Sequence, residues 1–146
     1  MTSPLDLTSI HHILPHRSPF LLVDRIVELE PNVRIVGIKH VSRGEPHLAP
    51  GRGGPPVMPL TIVMEAVAQV GAVLILSMPE NRDKLAFLIG IDRIRQRKLV
   101  RAGETMVIEV TVQKLRSTMG RMAGRVRVDE RTIATGVVTF ALSPRA

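Results

Sequence analysis

The chain contains no cysteine, no tryptophan and no tyrosine, and only three of its 146 residues are phenylalanine. The absence of cysteine excludes disulfide bonds and thiolate metal sites. With so few aromatic rings, the chain lacks the stacking platforms that proteins use to bind single-stranded nucleic acid. The core must therefore be aliphatic.

The remaining composition is that of a globular protein with excess positive charge. Hydrophobic residues make up 45% and charged residues 23% of the chain, and its length suits one domain, predicted to span residues 1–146. The net charge of +7 favours an acidic protein or a phosphate-bearing substrate as partner, although solubility alone explains it equally well. No nucleic-acid-binding motif accompanies the charge. The N-terminus does not resemble a secretory signal, so a cytoplasmic protein is expected.

One carboxylate stands inside the longest apolar run. Over residues 60–78 nearly every side chain is apolar or small, and Glu65 and Gln69 are the strongly polar exceptions. They are four positions apart, so they share one face of a helix. Burying an isolated charge is costly, which means that Glu65 must be paired, protonated or functional. The same two residues argue against a membrane span and favour a buried core helix.

The pattern along the chain predicts a short helix, two strands, the long apolar helix and four further strands. Thr8 is the expected N-cap of the first helix, which Pro15 ends. Residues 43–59 contain four glycines and five prolines and are predicted to form an irregular loop. The strands are predicted at 20–30, 33–42, 85–97, 105–116, 119–128 and 132–142, the last four as consecutive hairpins. One buried helix with strands on both sides favours an antiparallel sheet wrapped around it.

Five short motifs follow one another along the chain. They are LPHRSPFLLVDR at 14–25, VS and EP at 41–42 and 45–46, EAVAQ at 65–69, GID at 90–92 and AGE at 102–104. With these motifs the chain resembles, over nearly its whole length, the FabZ-type (3R)-hydroxyacyl-[acyl-carrier-protein] dehydratases of the hot-dog superfamily. The resemblance implies an α+β hot-dog fold, in which an antiparallel sheet wraps around one long central helix.

The resemblance also implies roles for individual residues. Glu65 matches the glutamate that acts as general acid on the β-hydroxyl group, while a loop histidine of that family removes the α-proton. Backbone N–H groups at the helix start, here that of Leu60, bind the thioester oxygen. Gln69 is expected to orient the site, since amides do not titrate. In the family the two catalytic residues come from different subunits, which implies a homodimer, alone or within a trimer of dimers.

Two positions depart from the family pattern. Glu45 and Glu65 are separated by twenty positions, as in the family, so the register needs no gap. In that register Gly51 stands at the place of the catalytic histidine and is kept as a predicted substrate contact, and Leu60 replaces a glycine. His47, four residues before Gly51, is the candidate replacement base. His16, in the first motif, is expected to be structural.

A basic strip is the predicted contact for a partner. Arg93, Arg95 and Arg97 alternate along one predicted strand, and the strip continues with Lys98 and Arg101. It is either a solvated strand edge that discourages aggregation or a rim that receives an acidic acyl carrier protein and its phosphopantetheine arm. No histidine pair has metal-motif spacing and no glycine pattern matches a nucleotide loop, so neither metal nor cofactor is predicted.

Three functions remain open at this point. The first is dehydration of 3-hydroxyacyl thioesters, linked to acyl carrier protein or coenzyme A, with Glu65 and an unconventional base or none. The second is thioester hydrolysis through Glu65, which needs no loop histidine. The third is non-catalytic binding of acyl thioesters.

Overall fold

The computed structural model describes residues 4–145, which form two α-helices, one 3-10 turn and eight strands. The helices are α1 (Leu7–Ile13) and α2 (Leu60–Leu76), and the 3-10 turn is Pro79–Asn81. The strands are β1 (Arg25–Glu30), β2 (Arg34–His40), β3 (Val57–Met58), β4 (Lys84–Gln96), β5 (Val100–Arg101), β6 (Thr105–Leu115), β7 (Met119–Val128) and β8 (Arg131–Pro144).

Six of these strands form one antiparallel sheet in the order β1-β2-β6-β7-β8-β4. Strands β6, β7 and β8 are consecutive hairpins, as predicted, but β4 is not. It crosses to the far edge and pairs with β8 along its length. The prediction of four consecutive hairpins was therefore wrong for β4, because hairpin signals locate turns and do not show where a strand enters a sheet.

Helix α2 forms the centre of the core. It packs on β2 and β6 and also on β4, at the opposite edge of the sheet, so the sheet curves around it. Thirteen of its 17 residues are buried, which agrees with its almost uninterrupted apolar sequence. Among the residues described here, neither helix has the length and apolarity of a membrane span.

Short-range details differ from the prediction in two places. Helix α1 begins two residues earlier than expected, because the side chain of Asp6, rather than Thr8, caps it by accepting a hydrogen bond from the Ser9 N–H at 2.9 Å. The proline-rich loop ends in β3, which pairs with β5 and holds the loop against the chain after β4. The pairing of β3 with β5 joins segments far apart along the chain, which local patterns do not reveal.

An ion-pair network joins four neighbouring strands of the sheet. The Arg34 guanidinium on β2 donates to Glu28 at 2.6 Å and to Glu109 at 2.8 Å, and Arg125 on β7 donates to Glu109 at 3.0 Å. The hydrogen bond from Arg34, followed by the charge of Arg125, lowers the pKa of Glu109 below its usual 4.5. The network links β1, β2, β6 and β7 away from the helix.

Candidate active site

Glu65 lies in the second turn of α2 with its carboxylate directed into a small cavity. The cavity has a volume of about 60 Å³, and its lining includes Ala86 and Leu88 of β4. The side chain of Glu65 is 38% exposed, although its helical neighbours are mostly buried. The carboxylate therefore remains accessible inside an otherwise apolar surrounding.

Gln69 connects this carboxylate to the first motif of the chain. Its Oε1 accepts a hydrogen bond from the Leu22 N–H at 2.8 Å, and its Nε2 donates to the carbonyl of Phe20 at 2.7 Å and to Glu65 Oε1 at 3.1 Å. Gln69 is almost completely buried, and burying its amide without hydrogen bonds would cost free energy, so these three bonds stabilise it in this position. It occupies the position that an orienting residue requires.

His16 is the neighbour of Glu65 that sequence reasoning missed. Its Nε2 lies 3.6 Å from Glu65 Oε1, and both side chains are partly exposed in the same cavity. The sequence signal was present in the LPHR motif, but it pointed to a structural role. A separation of 49 positions cannot be read as a contact from periodicity.

The loop around Gly51, where the resemblance predicts a histidine, is closely packed. A Cβ added to Gly51 would overlap the carbonyl oxygen of Pro55 and lie 2.7 Å from Nη1 of Arg101. That same Nη1 donates to the Pro55 carbonyl at 2.7 Å, and the Arg101 guanidinium also lies against Gly54. The side chain of Arg101, predicted to belong to a carrier-protein rim, thus contacts the glycine-rich loop.

The base of this loop is held by an enclosed ion pair. Lys39 Nζ on β2 lies 2.6 Å from Glu45 Oε1, and the two side chains are only 9% and 13% exposed. Glu45 also accepts a hydrogen bond from the Ser42 N–H at 3.2 Å. The glutamate of the EP motif therefore fixes the point at which the loop leaves the sheet.

The other predicted site residues occupy distinct places. His47 packs against the Phe20 ring, with centroids 5.6 Å apart, and its Nε2 lies 2.9 Å from the carbonyl oxygen of Pro19. Within one chain, the structure therefore does not bring His47 into the cavity of Glu65. At the helix start, Pro59 has no side-chain cap and its carbonyl accepts bonds from Ile62 and Val63. Leu60 precedes both of these donors, at the end of α2 where backbone N–H groups lack intrahelical partners.

The basic strip is exposed but less regular than predicted. A bulge interrupts β4 between Asp92 and Arg95, and Arg93 has a φ of 53° there. The expected alternation is therefore wrong between Arg93 and Arg95, since a bulge changes which side chains share a face. Arg93 lies at a shallow groove on the outside of the sheet with Glu109 and Arg125. Arg97 and Lys98 are exposed just after the strand ends.

Comparison with known families supports a single assignment. The profile of the FabA-like domain family matches residues 14–137. The chain is 49% identical over 141 residues to the 3-hydroxyacyl-[acyl-carrier-protein] dehydratase FabZ of Desulforamulus reducens, covering 97% of this chain and 99% of that protein. It is 48% identical to the corresponding dehydratase of Thermomicrobium roseum, covering 94% and 93%.

Solved structures confirm the hot-dog fold. The dehydratase heterocomplex ApeI:P from Xenorhabdus doucetiae superposes with a TM-score of 0.81 at 19% identity, covering 93% of this chain and 91% of that chain. Zebra fish thioesterase superfamily member 2 superposes with a TM-score of 0.69 at 20% identity, covering 95% and 99%. At sequence identities this low, the superpositions show a shared fold and not a shared function. The α+β architecture predicted from the motifs is thus confirmed.

Proposed function

Because the chain belongs to the FabZ-type 3-hydroxyacyl-[acyl-carrier-protein] dehydratases of the FabA-like family, we propose that it dehydrates 3-hydroxyacyl thioesters in fatty-acid biosynthesis. The single observation that carries this proposal is the placement of Glu65. It is partly exposed, it is oriented by Gln69, and it lies in the EAVAQ segment at the start of the central helix. The reaction makes this enzyme a lyase.

The elimination requires two proton transfers. A base takes the α-proton, the C–H electrons form the C=C bond, and the bond from the β-carbon to oxygen breaks. Glu65 donates its proton to the departing hydroxyl group, which leaves as water. The N–H groups at the start of α2, including that of Leu60, are the donors assigned to the thioester oxygen in this proposal, because the first N–H groups of a helix lack intrahelical partners and lie at the positive end of its dipole.

The alternatives of a thioesterase or a non-catalytic binder have less support. The thioesterase likeness rests on a structural neighbour at 20% identity, whereas the dehydratase relatives reach 49% identity over almost the full chain. The curated relatives are dehydratases by name. The acid half of the dehydratase pair, Glu65, is retained.

The test separates the three functions in one experiment. Purified protein is incubated with 3-hydroxyacyl thioesters on acyl carrier protein and on coenzyme A, while enoyl absorbance and free thiol are recorded independently. Dehydration predicts enoyl formation without thiol release. Thiol release would establish hydrolysis, and tight binding without either product would establish a binding protein. Sedimentation of the same preparation gives its assembly state.

We propose that the enzyme acts as a homodimer joined along β4. This strand pairs only on its β8 side within the described sheet, and its Phe87 and Ile89 are 51% and 63% exposed. Ala86 and Leu88 of the same strand line the cavity of Glu65. A cavity of about 60 Å³ is too small for an acyl thioester, since ligand pockets begin at roughly 300 Å³. A second copy along this edge would enlarge the cavity into a tunnel.

The predicted partner is an acidic acyl carrier protein, received by the exposed part of the basic strip. Reversing Arg95 and Arg97 to glutamate should lower kcat/KM for the carrier-linked substrate by about tenfold at low salt, since electrostatic steering contributes 10-fold or more to association. The difference should shrink at high salt. The neutral N-acetylcysteamine thioester is the control and should react at an unchanged rate. Equal losses with both substrates would contradict a carrier-binding role.

Restoring the family's histidine should not restore the family's site. We expect Gly51→His to lose about 1–3 kcal/mol of unfolding free energy, the usual cost of overpacking. We also expect it to dehydrate the substrate no faster than the unsubstituted enzyme does. The reason is the overlap with the Pro55 carbonyl and the nearby Arg101 guanidinium. Gly44→His, where an added Cβ meets only Ser42 Oγ at 3.7 Å, is the control for denaturant unfolding. A stable and faster Gly51→His enzyme would contradict this description of the loop.

A further inference from the structure

The proposed dehydration lacks an identified base, and one imidazole faces the acid. His16 Nε2 lies 3.6 Å from Glu65 Oε1, and both residues line the same cavity. Within the same chain, two other imidazoles are engaged elsewhere: His47 Nε2 is bonded to the Pro19 carbonyl, and His40 Nδ1 lies 3.0 Å from Thr105 Oγ1. His11 and His12 lie on α1.

The backbone of His16 is held firmly in this position. The Arg17 guanidinium donates to the carbonyl oxygens of Leu14 at 2.8 Å, His16 at 2.7 Å and His11 at 3.0 Å. Three bonds from one side chain fix the turn that carries the imidazole. Gln69 fixes the following segment through Phe20 and Leu22 and also donates to Glu65, so the segment that carries the imidazole is tied to the helix that carries the acid.

The ring has one nitrogen available for proton transfer. His16 Nδ1 is buried and has no hydrogen-bond partner among residues 4–145. Nε2 points to the cavity, in which the side chain is 32% exposed. With the ring hydrogen of the neutral imidazole on the shielded Nδ1, the nitrogen that can accept a proton is Nε2, which faces Glu65.

We propose that His16 is the catalytic base of this enzyme and forms an acid–base pair with Glu65 that replaces the absent loop histidine. This inference rests on the proposed dehydration. His16 Nε2 takes the α-proton, the C–H electrons form the double bond, and the hydroxyl group leaves with the proton of Glu65. The pair then contains an imidazolium beside a carboxylate. Transfer of the Nε2 proton to Oε1 restores the starting state without any other reactant.

The geometry suits an elimination in which both groups leave from one side. The α-proton and the β-hydroxyl group are on adjacent carbons, so a base and an acid that are themselves adjacent can serve both. A conventional pair divided between a loop and the helix is not needed. The same arrangement explains how the chain can contain glycine at position 51 and still retain Glu65.

The deciding experiment compares His16→Gln with the exposed control His12→Gln. We expect His16→Gln to lower kcat about 10²–10⁴-fold, the usual contribution of a positioned base, with KM for the N-acetylcysteamine thioester nearly unchanged. Hydration of the enoyl thioester in D₂O should also lose enzymatic deuterium incorporation at the α-carbon. His12→Gln should match the unsubstituted enzyme in both measurements.

Chemical rescue by added imidazole distinguishes a catalytic role of His16 from a structural one. In His16→Ala, added imidazole should restore dehydration in proportion to its concentration if the missing group is a base. Loss of activity without rescue, in a variant that still melts cooperatively and binds substrate, would overturn the inference. Retention of more than a third of kcat in His16→Gln would overturn it as well.

The outcome also shows which proposal has failed. An unsubstituted enzyme that produces no enoyl thioester contradicts the proposed function, and the inference falls with it. An active enzyme whose His16→Gln variant is equally active contradicts the inference alone.

Discussion

Replacing Glu65 by glutamine is expected to lower the dehydration kcat by about 10²–10⁴-fold. Glutamine has nearly the same shape, but its amide cannot supply the proton that the departing hydroxyl group needs. The side chain is 38% exposed, so loss of the charge should change folding little. The Gln69 Nε2 contact at 3.1 Å can continue to the amide oxygen, which preserves the orientation of the helix face.

The measurement is enoyl formation from a 3-hydroxyacyl thioester, with substrate binding and thermal melting recorded for the same preparation. Glu80→Gln is the matched control, because Glu80 is an exposed carboxylate on the 3-10 turn after α2. It should react at the unsubstituted rate. If Glu65→Gln dehydrates as fast as the control, the site has been assigned to the wrong carboxylate.

Replacing Lys39 by methionine should have the largest effect on stability. We expect a loss of about 3–5 kcal/mol of unfolding free energy, the typical cost of leaving one partner of a buried ion pair alone. Lys39 and Glu45 are only 9% and 13% exposed, and their charged atoms are 2.6 Å apart. Without Lys39, the Glu45 carboxylate should move toward water, where its charge is hydrated. Because Glu45 also accepts the Ser42 N–H, this movement should loosen the start of the glycine-rich loop.

Denaturant unfolding measures this loss, and two controls identify its cause. The double variant Lys39→Met, Glu45→Gln removes the stranded charge and should recover part of the stability. Arg121→Met breaks a more exposed pair, with 3.3 Å between Arg121 and Asp92, and should cost at most about 1 kcal/mol. If all three variants lost the same small amount, enclosure of the Lys39–Glu45 pair would not matter for folding.

Much of the fold could be predicted because its signals are local. The apolar run from residue 60 identified the buried helix, whose observed end at Leu76 differs from the expected end by two residues. Turn residues placed the hairpins from β6 to β8. The partner of β4 could not be predicted, because strand pairing across a sheet depends on how all segments pack together.

Only part of the candidate site could be predicted from the sequence. Glu65 and Gln69 share one helix face, so their 3.1 Å contact follows from a spacing of four residues. The positions of His16 and Arg101 do not follow from any spacing. Arg101 was assigned to a rim because of its neighbours in sequence, whereas its guanidinium lies in the loop at Pro55.

The order of residues by itself determined the family and the central helix, and it singled out Glu65 as the predicted acid and Gly51 as the position predicted to lack the histidine. These conclusions depend on residue types and spacings, which are properties of the sequence alone. Only the tertiary structure decided that His16 faces Glu65 and that Arg101 and Pro55 leave no space for a side chain at position 51. The physical reason is that each of these contacts joins segments far apart along the chain, whose distance is set by the packing of the sheet around α2.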